Sequence, residues 1–198
     1  MPLHKVIHIN PTTTIFLWKI TETFENLSEE VQLNDRNCIR INTMKSELHQ
    51  RAFLSVRKLL QEAGYSDFDL FYDTSGKPYL KDGKHISISH SHEFSAIVLS
   101  HENIGIDLEM QREKIIRIAE KFASEPFVFE TKENTNDFIR KLTAIWGIKE
   151  AIFKIRNEEG ISFKDHIAVQ PFKFQIKNVW QNCILMAYSN NTLFFLKR

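Results

Sequence analysis

The chain of 198 residues is short of cysteine, of net charge and of long apolar runs, and each shortage removes a class of protein. Cys38 and Cys183 are the only cysteines. Two thiols so far apart support neither a disulfide framework nor a zinc cluster, and a reducing compartment is the simplest expectation. The 26 basic residues face 25 acidic ones for a net charge of +1, which argues against a nucleic-acid binder with its basic excess. No segment reaches the roughly 18 apolar residues of a membrane-crossing helix. The N-terminal stretch MPLHKVIHINPTTTIFLWKI is interrupted by His8, Asn10 and Pro11 too early for a signal-peptide core, so a cytoplasmic protein is expected. Also missing are the G-x-x-x-x-G-K-[ST] phosphate loop and the G-x-S-x-G elbow of serine hydrolases.

What is present suits a soluble globular protein: 42% hydrophobic and 26% charged residues, with 16 phenylalanines promising an aromatic interior. The length allows one domain or two small ones. Residues 12–23, TTTIFLWKITET, read as a strand, and LSEEVQL as a short helix capped by Ser28. From Thr43 to Ala63 the spacing is helical, with Leu48, Ala52, Val56, Leu59, Leu60 and Ala63 on one stripe and Arg51, Arg57 and Lys58 off it. A turn is expected at Thr74-Ser75-Gly76. Two strands joined near Ser91–Glu93 follow. Residues 113–122 form a helix presenting Ile115, Ile116, Ala119 and Phe122, residues 123–137 a mobile loop, and residues 138–156 a second long helix. The tail is read as strand around Ile167–Val169, Phe172–Ile176 and Cys183–Tyr188.

The chemistry centres on NIGIDLEM, residues 103–110. Side chains of a strand alternate between faces, so Asp107 and Glu109 point the same way with Cα atoms about 6.5–7 Å apart. A solvated face would explain an isolated pair. On the second long helix, Trp146, Glu150 and Lys154 share a face at i, i+4 and i+8, with Lys149 one step round. Taken together, three carboxylates need a cation, and an oxygen-only set suits a hard ion such as Mg²⁺ with positions open to phosphate oxygens. A second constellation is GKPYLKDGKHISISHS, where Ser89 and His90 end a strand beside a turn. A zinc site from His85, His90 and His92 fits no familiar spacing. A Ser89–His90–Asp107 hydrolase fails because neighbours in an extended chain point apart.

GKPYL, ISISHS, GIDLE and WGIKEAIFK, in that order and with those gaps, resemble the 4′-phosphopantetheinyl transferases of the surfactin-synthetase type across roughly residues 45–165. The resemblance implies an α+β fold of two similar lobes, each a small, mainly antiparallel sheet on a long helix, related by a pseudo-twofold. Residues 1–103 would make the lobe for the nucleotide end of coenzyme A, and residues 104–198 the lobe for the metal and the carrier protein. It further implies a monomeric, Mg²⁺-dependent enzyme that moves phosphopantetheine from coenzyme A to a serine of an apo acyl or peptidyl carrier protein, releasing adenosine 3′,5′-bisphosphate. Asp107, Glu109 and Glu150 are similar to the family's magnesium ligands. Glu150, Lys154 and His90 make up the catalytic set, with Glu150 as base and Lys154, joined by Lys149, on the diphosphate. Lys77, Ser89 and His90 match positions that hold the phosphates of coenzyme A, and Arg51 and Arg57 supply basic groups on the first long helix. Where the family carries a further acid after the 113–122 helix, Phe127 stands here, with Glu125 and Glu130 as nearby substitutes. Ile116, Ala119 and Phe122, rimmed by Lys114, Arg117 and Lys121, offer a docking face for an acidic carrier helix; the competing reading buries them in the core. The rival functions are a non-catalytic module binding coenzyme A or a nucleotide, and a magnesium-dependent phosphotransferase or hydrolase of another kind.

Overall fold

Chain alternation and turn chemistry settle most of the element order. The computed structural model describes residues 3–129, 133–170, 183–189 and 192–195, and the chain divides into two compact units, Met1–Ile104 and Gly105–Arg198. Both combine antiparallel sheets with helices, so the fold is α+β. Among the described residues no helix is long and apolar enough to cross a membrane.

In the first unit, β1 (Leu3–Asn10) and β2 (Thr13–Lys19) join β5 (His85–Ser91) and β6 (Phe94–Ser100) in one antiparallel sheet of order β1-β2-β6-β5. Strand β2 stops short of the expected 12–23 span because Thr23 is taken by α1 (Phe24–Glu30), whose Asn26 N–H it accepts. Ser28 is therefore not the cap. It lies inside the helix and donates to the Glu25 carbonyl at 2.8 Å. An unforeseen helix, α2 (Asp35–Thr43), is capped by Asn34, which accepts from Asn37 N–H at 3.0 Å. Only then does α3 (Glu47–Glu62) begin, not at Thr43 as the periodicity suggests. Ala52, Val56, Leu59 and Leu60 of α3 enter the core with Trp18, Leu27, Ile86 and Ile97. Leu48, at the start of the expected stripe, is 43% exposed instead. The short ribbon of β3 (Leu70–Tyr72) and β4 (Pro78–Leu80) turns where expected, with the Asp73 carboxylate accepting from Ser75 N–H, Ser75 Oγ and Lys77 N–H.

The second unit holds β7 (Gly105–Met110), β8 (Cys183–Ser189) and β9 (Thr192–Phe195) in an antiparallel sheet of that order. Residues Glu113–Lys121 wind as a 3₁₀-helix rather than an α-helix, and a helical turn, α4 (Pro126–Phe129), stands inside the segment read as loop. The long helix α5 (Thr135–Arg156) starts three residues earlier than expected, because Asn134 accepts from Asp137 N–H as its cap. It ends on Asn157, in the left-handed region at φ 48°, with its N–H on the Phe153 carbonyl. Residues 167–169 are not a strand: Ile167 is buried, and Val169 N–H is taken by the side chain of Glu125. The reading of Phe172–Ile176 lies outside the described residues.

Helix α5 packs on β7 and β8. Ile106 and Leu108 are buried on one face of β7. The other face, with Gly105 and Asp107, lies under α5 and is not solvated: Asp107 is 4% exposed. Two glycines permit this approach. A methyl group at Gly105 would collide with the Ala151 carbonyl of α5, a backbone atom that cannot swing away. Gly147, costly in a helix interior, leaves the room filled by the Met186 side chain and stands beside Asp107. Met186 is the cross-strand partner of Asp107, so the two share that face.

Gly105→Ala is expected to destabilise the protein by roughly 3 kcal/mol, at the upper end of overpacking costs, seen as a lower midpoint in urea unfolding. An unchanged midpoint would mean that α5 and β7 are not in this close contact.

Candidate active site

Four of the predicted residues meet on β7 and α5 of the second unit. Lys154 extends from the last turn of α5 so that its ammonium donates to the Ile106 carbonyl at 2.9 Å and to Asp107 Oδ1 at 2.8 Å. Trp146, two helical turns earlier on the same face, donates its indole N–H to Glu109 Oε1 at 3.1 Å. Glu150 lies between them along the helix, half-buried like Glu109.

The electrostatics follow from crowding acids under a helix. Burial, then the charge of Asp107 and to a lesser degree that of Glu150, pushes the Glu109 carboxyl up to about 7, against the pull of the Trp146 N–H and Lys154. Glu150 is raised for the same reasons, burial first and Asp107 next, with Lys154 opposing. The three carboxylates are thus close enough to sense one another, and one ammonium offsets them only in part.

The donor chemistry fits a divalent cation: three carboxylates with no nitrogen or sulfur donor are the set a hard ion prefers, and the raised proton affinity of Glu109 and Glu150, due to burial and then to the charge of Asp107, is a strain that a cation would relieve. Their present arrangement is looser than a metal cluster. Among the described residues no group of three His, Cys, Asp or Glu side chains is drawn together to hold an ion, and the cation seated on Asp107 is Lys154.

Lys149 is not available to a phosphate, contrary to expectation. Its ammonium is fully buried and donates to the Phe122 carbonyl at 2.7 Å and the Phe163 carbonyl at 2.9 Å, and pairs with Glu125 Oε1 at 2.8 Å. These three acceptors use its three protons. Glu125, one of the two substitute acids, is held in the same place, 6% exposed, with Ser124 N–H on its other oxygen. Glu130 lies outside the described residues. The apolar docking face is also revised. Ala119 and Phe122 are core residues, packed with Val128, Phe138, Leu142 and Ile145, and only Ile116 of the three is exposed, among exposed Lys114, Arg117 and Lys121.

The remaining predicted residues belong to the first unit. His90, exposed at the end of β5, lies beside exposed His49 in the first turn of α3, ring centroids 6.5 Å apart. Ser89, its neighbour, is buried on the opposite face of β5. Lys77, half-buried after the Asp73 turn, reaches Asn103 Oδ1 at 3.4 Å. Arg51, half-buried on α3, donates to the Ile20 carbonyl. Arg57 is a correction. It is 3% exposed, donates to Asp67 Oδ1 at 2.9 Å and the Phe53 carbonyl at 3.1 Å, and stacks on the Phe53 ring. Asp67 also accepts from the Asn37 side-chain amide and from Asn34 N–H, so Arg57 belongs to a buried network inside the first unit. A cavity of about 570 Å³ opens beside that network, lined among others by Arg36, Arg40, Phe71 and Tyr72, and none of the predicted binding residues lines it.

Two participants escape a reading of local spacing. The Trp146–Glu109 bond had one signal, an indole N–H on the Glu150 face that needs a partner when covered. The Lys149–Glu125 pair had none, since it joins elements far apart in sequence.

Residues 103–191 match the family model of the 4′-phosphopantetheinyl transferase superfamily, a span that includes Asp107, Glu109, Trp146, Glu150 and Lys154. The chain is also similar to the 4′-phosphopantetheinyl transferase gsp of Aneurinibacillus migulanus, 34% identical over 80 residues, or 40% of this chain. That stretch spans about a third (34%) of the relative's length. The resemblance carried by the sequence motifs is thereby shown.

Because Glu109 binds its proton more tightly folded than unfolded, stability in chelator is expected to fall as pH rises from about 4.5 to about 7 and to level off above. The loss is on the order of 2 kcal/mol after allowance for partial solvent access. Glu109→Gln removes that component, so its stability relative to the parent should rise between pH 5 and pH 8 in urea titrations. A difference that does not change with pH would refute the shift.

Proposed function

We propose that this protein, whose motifs and matched span are similar to the 4′-phosphopantetheinyl transferases, transfers phosphopantetheine from coenzyme A to a serine of an apo acyl or peptidyl carrier protein. The observation that supports this most is the meeting of Asp107 and Glu109 from β7 with Lys154 and Glu150 from α5 inside the matched span. A module that merely binds a nucleotide has no use for a buried carboxylate, Asp107, beside two further acids, Glu109 and Glu150, whose proton affinity is raised by burial and then by its charge.

The reaction is a displacement at the β-phosphorus of the diphosphate. The serine oxygen forms the new P–O bond while the bond to the bridging oxygen breaks, and the electron pair leaves with adenosine 3′,5′-bisphosphate. Such transfers depend on positioning and charge neutralisation. Serine needs a base, and Glu150, its proton affinity raised by burial and by Asp107, takes the hydroxyl proton. Lys154 is already fixed by the Ile106 carbonyl and Asp107, so its ammonium meets charge developing on the leaving phosphate without reorganising. Asp107, Glu109 and Glu150 would hold Mg²⁺, which when bound would polarise the diphosphate and offset its charge. Lys77, Ser89 and His90, with Arg51, are assigned to the phosphates at the nucleotide end. Lys149 and Arg57 are not, since each is buried with its own partners. For the carrier, exposed Ile116 with Lys114, Arg117 and Lys121 offers an apolar contact in a basic rim that suits an acidic helix.

The direct test incubates the protein with coenzyme A, Mg²⁺ and a panel of apo carriers and weighs each carrier. A gain of one phosphopantetheine is expected, abolished by chelator and reduced at least 100-fold in Asp107→Ala. Carriers left unmodified across the panel despite tight coenzyme A binding would favour the non-catalytic module. Arg117→Glu is expected to raise KM for the carrier about tenfold with KM for coenzyme A unchanged, a loss of roughly 1.4 kcal/mol. A carrier KM equal to the parent's would discard this docking face.

A further inference from the structure

We infer that Trp146 is a positioning residue for Glu109, its indole N–H fixed by a clamp that Lys149 and Glu125 build; this rests on the reading of Glu109 as a metal ligand. The indole is held from two sides. Its ring meets Phe122 edge-on at 5.1 Å and Phe163 at 5.3 Å. Lys149, one turn further along α5, binds the backbone carbonyls of those same two residues at 2.7 and 2.9 Å. Glu125 completes the clamp by pairing with Lys149 and accepting Val169 N–H. Trp146 and Lys149 thus grip one pair of phenylalanines, the first by rings and the second by carbonyls. An indole nitrogen can only donate, and the acceptor it meets is Glu109 Oε1 at 3.1 Å.

The consequence is selective. One oxygen of Glu109 is committed to Trp146, so the carboxylate keeps one orientation and presents its other oxygen. Hydrogen bonds behind a ligating carboxylate commonly change metal affinity by about 10–100-fold when removed. The buried Lys149 finds its use here: it meets no phosphate but keeps the wall that aims the indole.

The test measures Mn²⁺ alone, by the resonance of the free ion, on the intact chain without coenzyme A or carrier. Trp146→Phe keeps a ring in the clamp and loses only the donor; Trp146→Leu loses both. Both are expected to bind Mn²⁺ about tenfold more weakly than the parent, while only Trp146→Leu lowers the metal-free unfolding temperature. Trp146→Phe binding Mn²⁺ as tightly as the parent would overturn the positioning role and leave the proposed function standing. A parent chain that binds no Mn²⁺ would instead defeat the metal reading, and this inference with it. A measurement on the unaltered side chain guards against a variant that fails to fold. The Trp146 indole N–H resonance is expected to shift as Mg²⁺ is added, and not in Glu109→Gln; a resonance indifferent to Mg²⁺ in the parent would overturn the inference.

Discussion

The contact between β7 and α5 is the constraint on which the second unit turns. Two glycines bring a strand and a helix closer than side chains would allow, with Gly105 against the Ala151 carbonyl and Gly147 accommodating Met186 beside Asp107. At that separation Asp107 is buried, and an isolated buried carboxylate is costly. Lys154 resolves the conflict by laying its ammonium on both the carboxylate and the Ile106 carbonyl. Strand, helix and ion pair therefore depend on one another. Widening the contact would spare Asp107 its burial but would also separate the acids of β7 from Glu150.

Helix α5 uses its two neighbouring lysines in opposite ways, and the helical turn explains the difference. Five residues at 100° each put Lys149 and Lys154 about 140° apart around the axis. Lys149 points into the aromatic core of Phe122, Trp146 and Phe163, where backbone carbonyls and Glu125 supply every acceptor. Lys154 points to β7, onto Asp107 and the Ile106 carbonyl, but its side chain is 27% exposed and remains able to meet a second anion. An arginine in place of Lys149 would present a planar fork with five donors to a site that offers three acceptors.

The fold was legible wherever an element carries its own signal. Period-two alternation marked β7, and helical spacing marked α3 and α5. The acids of GIDLE and the Glu150–Lys154 pair were rightly set on the strand and helix that the structure brings together. What failed were statements about neighbours. Alternation says that Asp107 and Gly105 share a face but not that a helix covers it. Arg57 and Lys149 look alike in sequence to basic residues on a helix surface, yet Asp67 claims one and Glu125 the other. Phe53, four residues before Arg57 and stacked under its guanidinium, was a local hint that this arginine turns inward. The 3₁₀ winding of Glu113–Lys121 had no such hint, since its apolar residues satisfy a 3.6-residue period as well.

A charge count connects these points to the chemistry. Three ionised carboxylates and one ammonium leave an excess of two negative charges under α5. Like charges about 5 Å apart repel by roughly 3 kcal/mol at an effective dielectric of 20, and such repulsion adds to burial, the larger cause, in holding the proton on Glu109 up to about pH 7. A proton cancels one of the two excess charges and a divalent ion cancels both, so the two compete for the same carboxylates. Below neutrality the proton wins at Glu109 and above it the acid is available. The Trp146 N–H and Lys154 move that crossover downward, and burial and Asp107 move it upward. The crossover falls near neutral pH because these opposed contributions nearly balance. A site with the same three acids but without the indole donor would bind its proton more tightly and concede the metal only at higher pH.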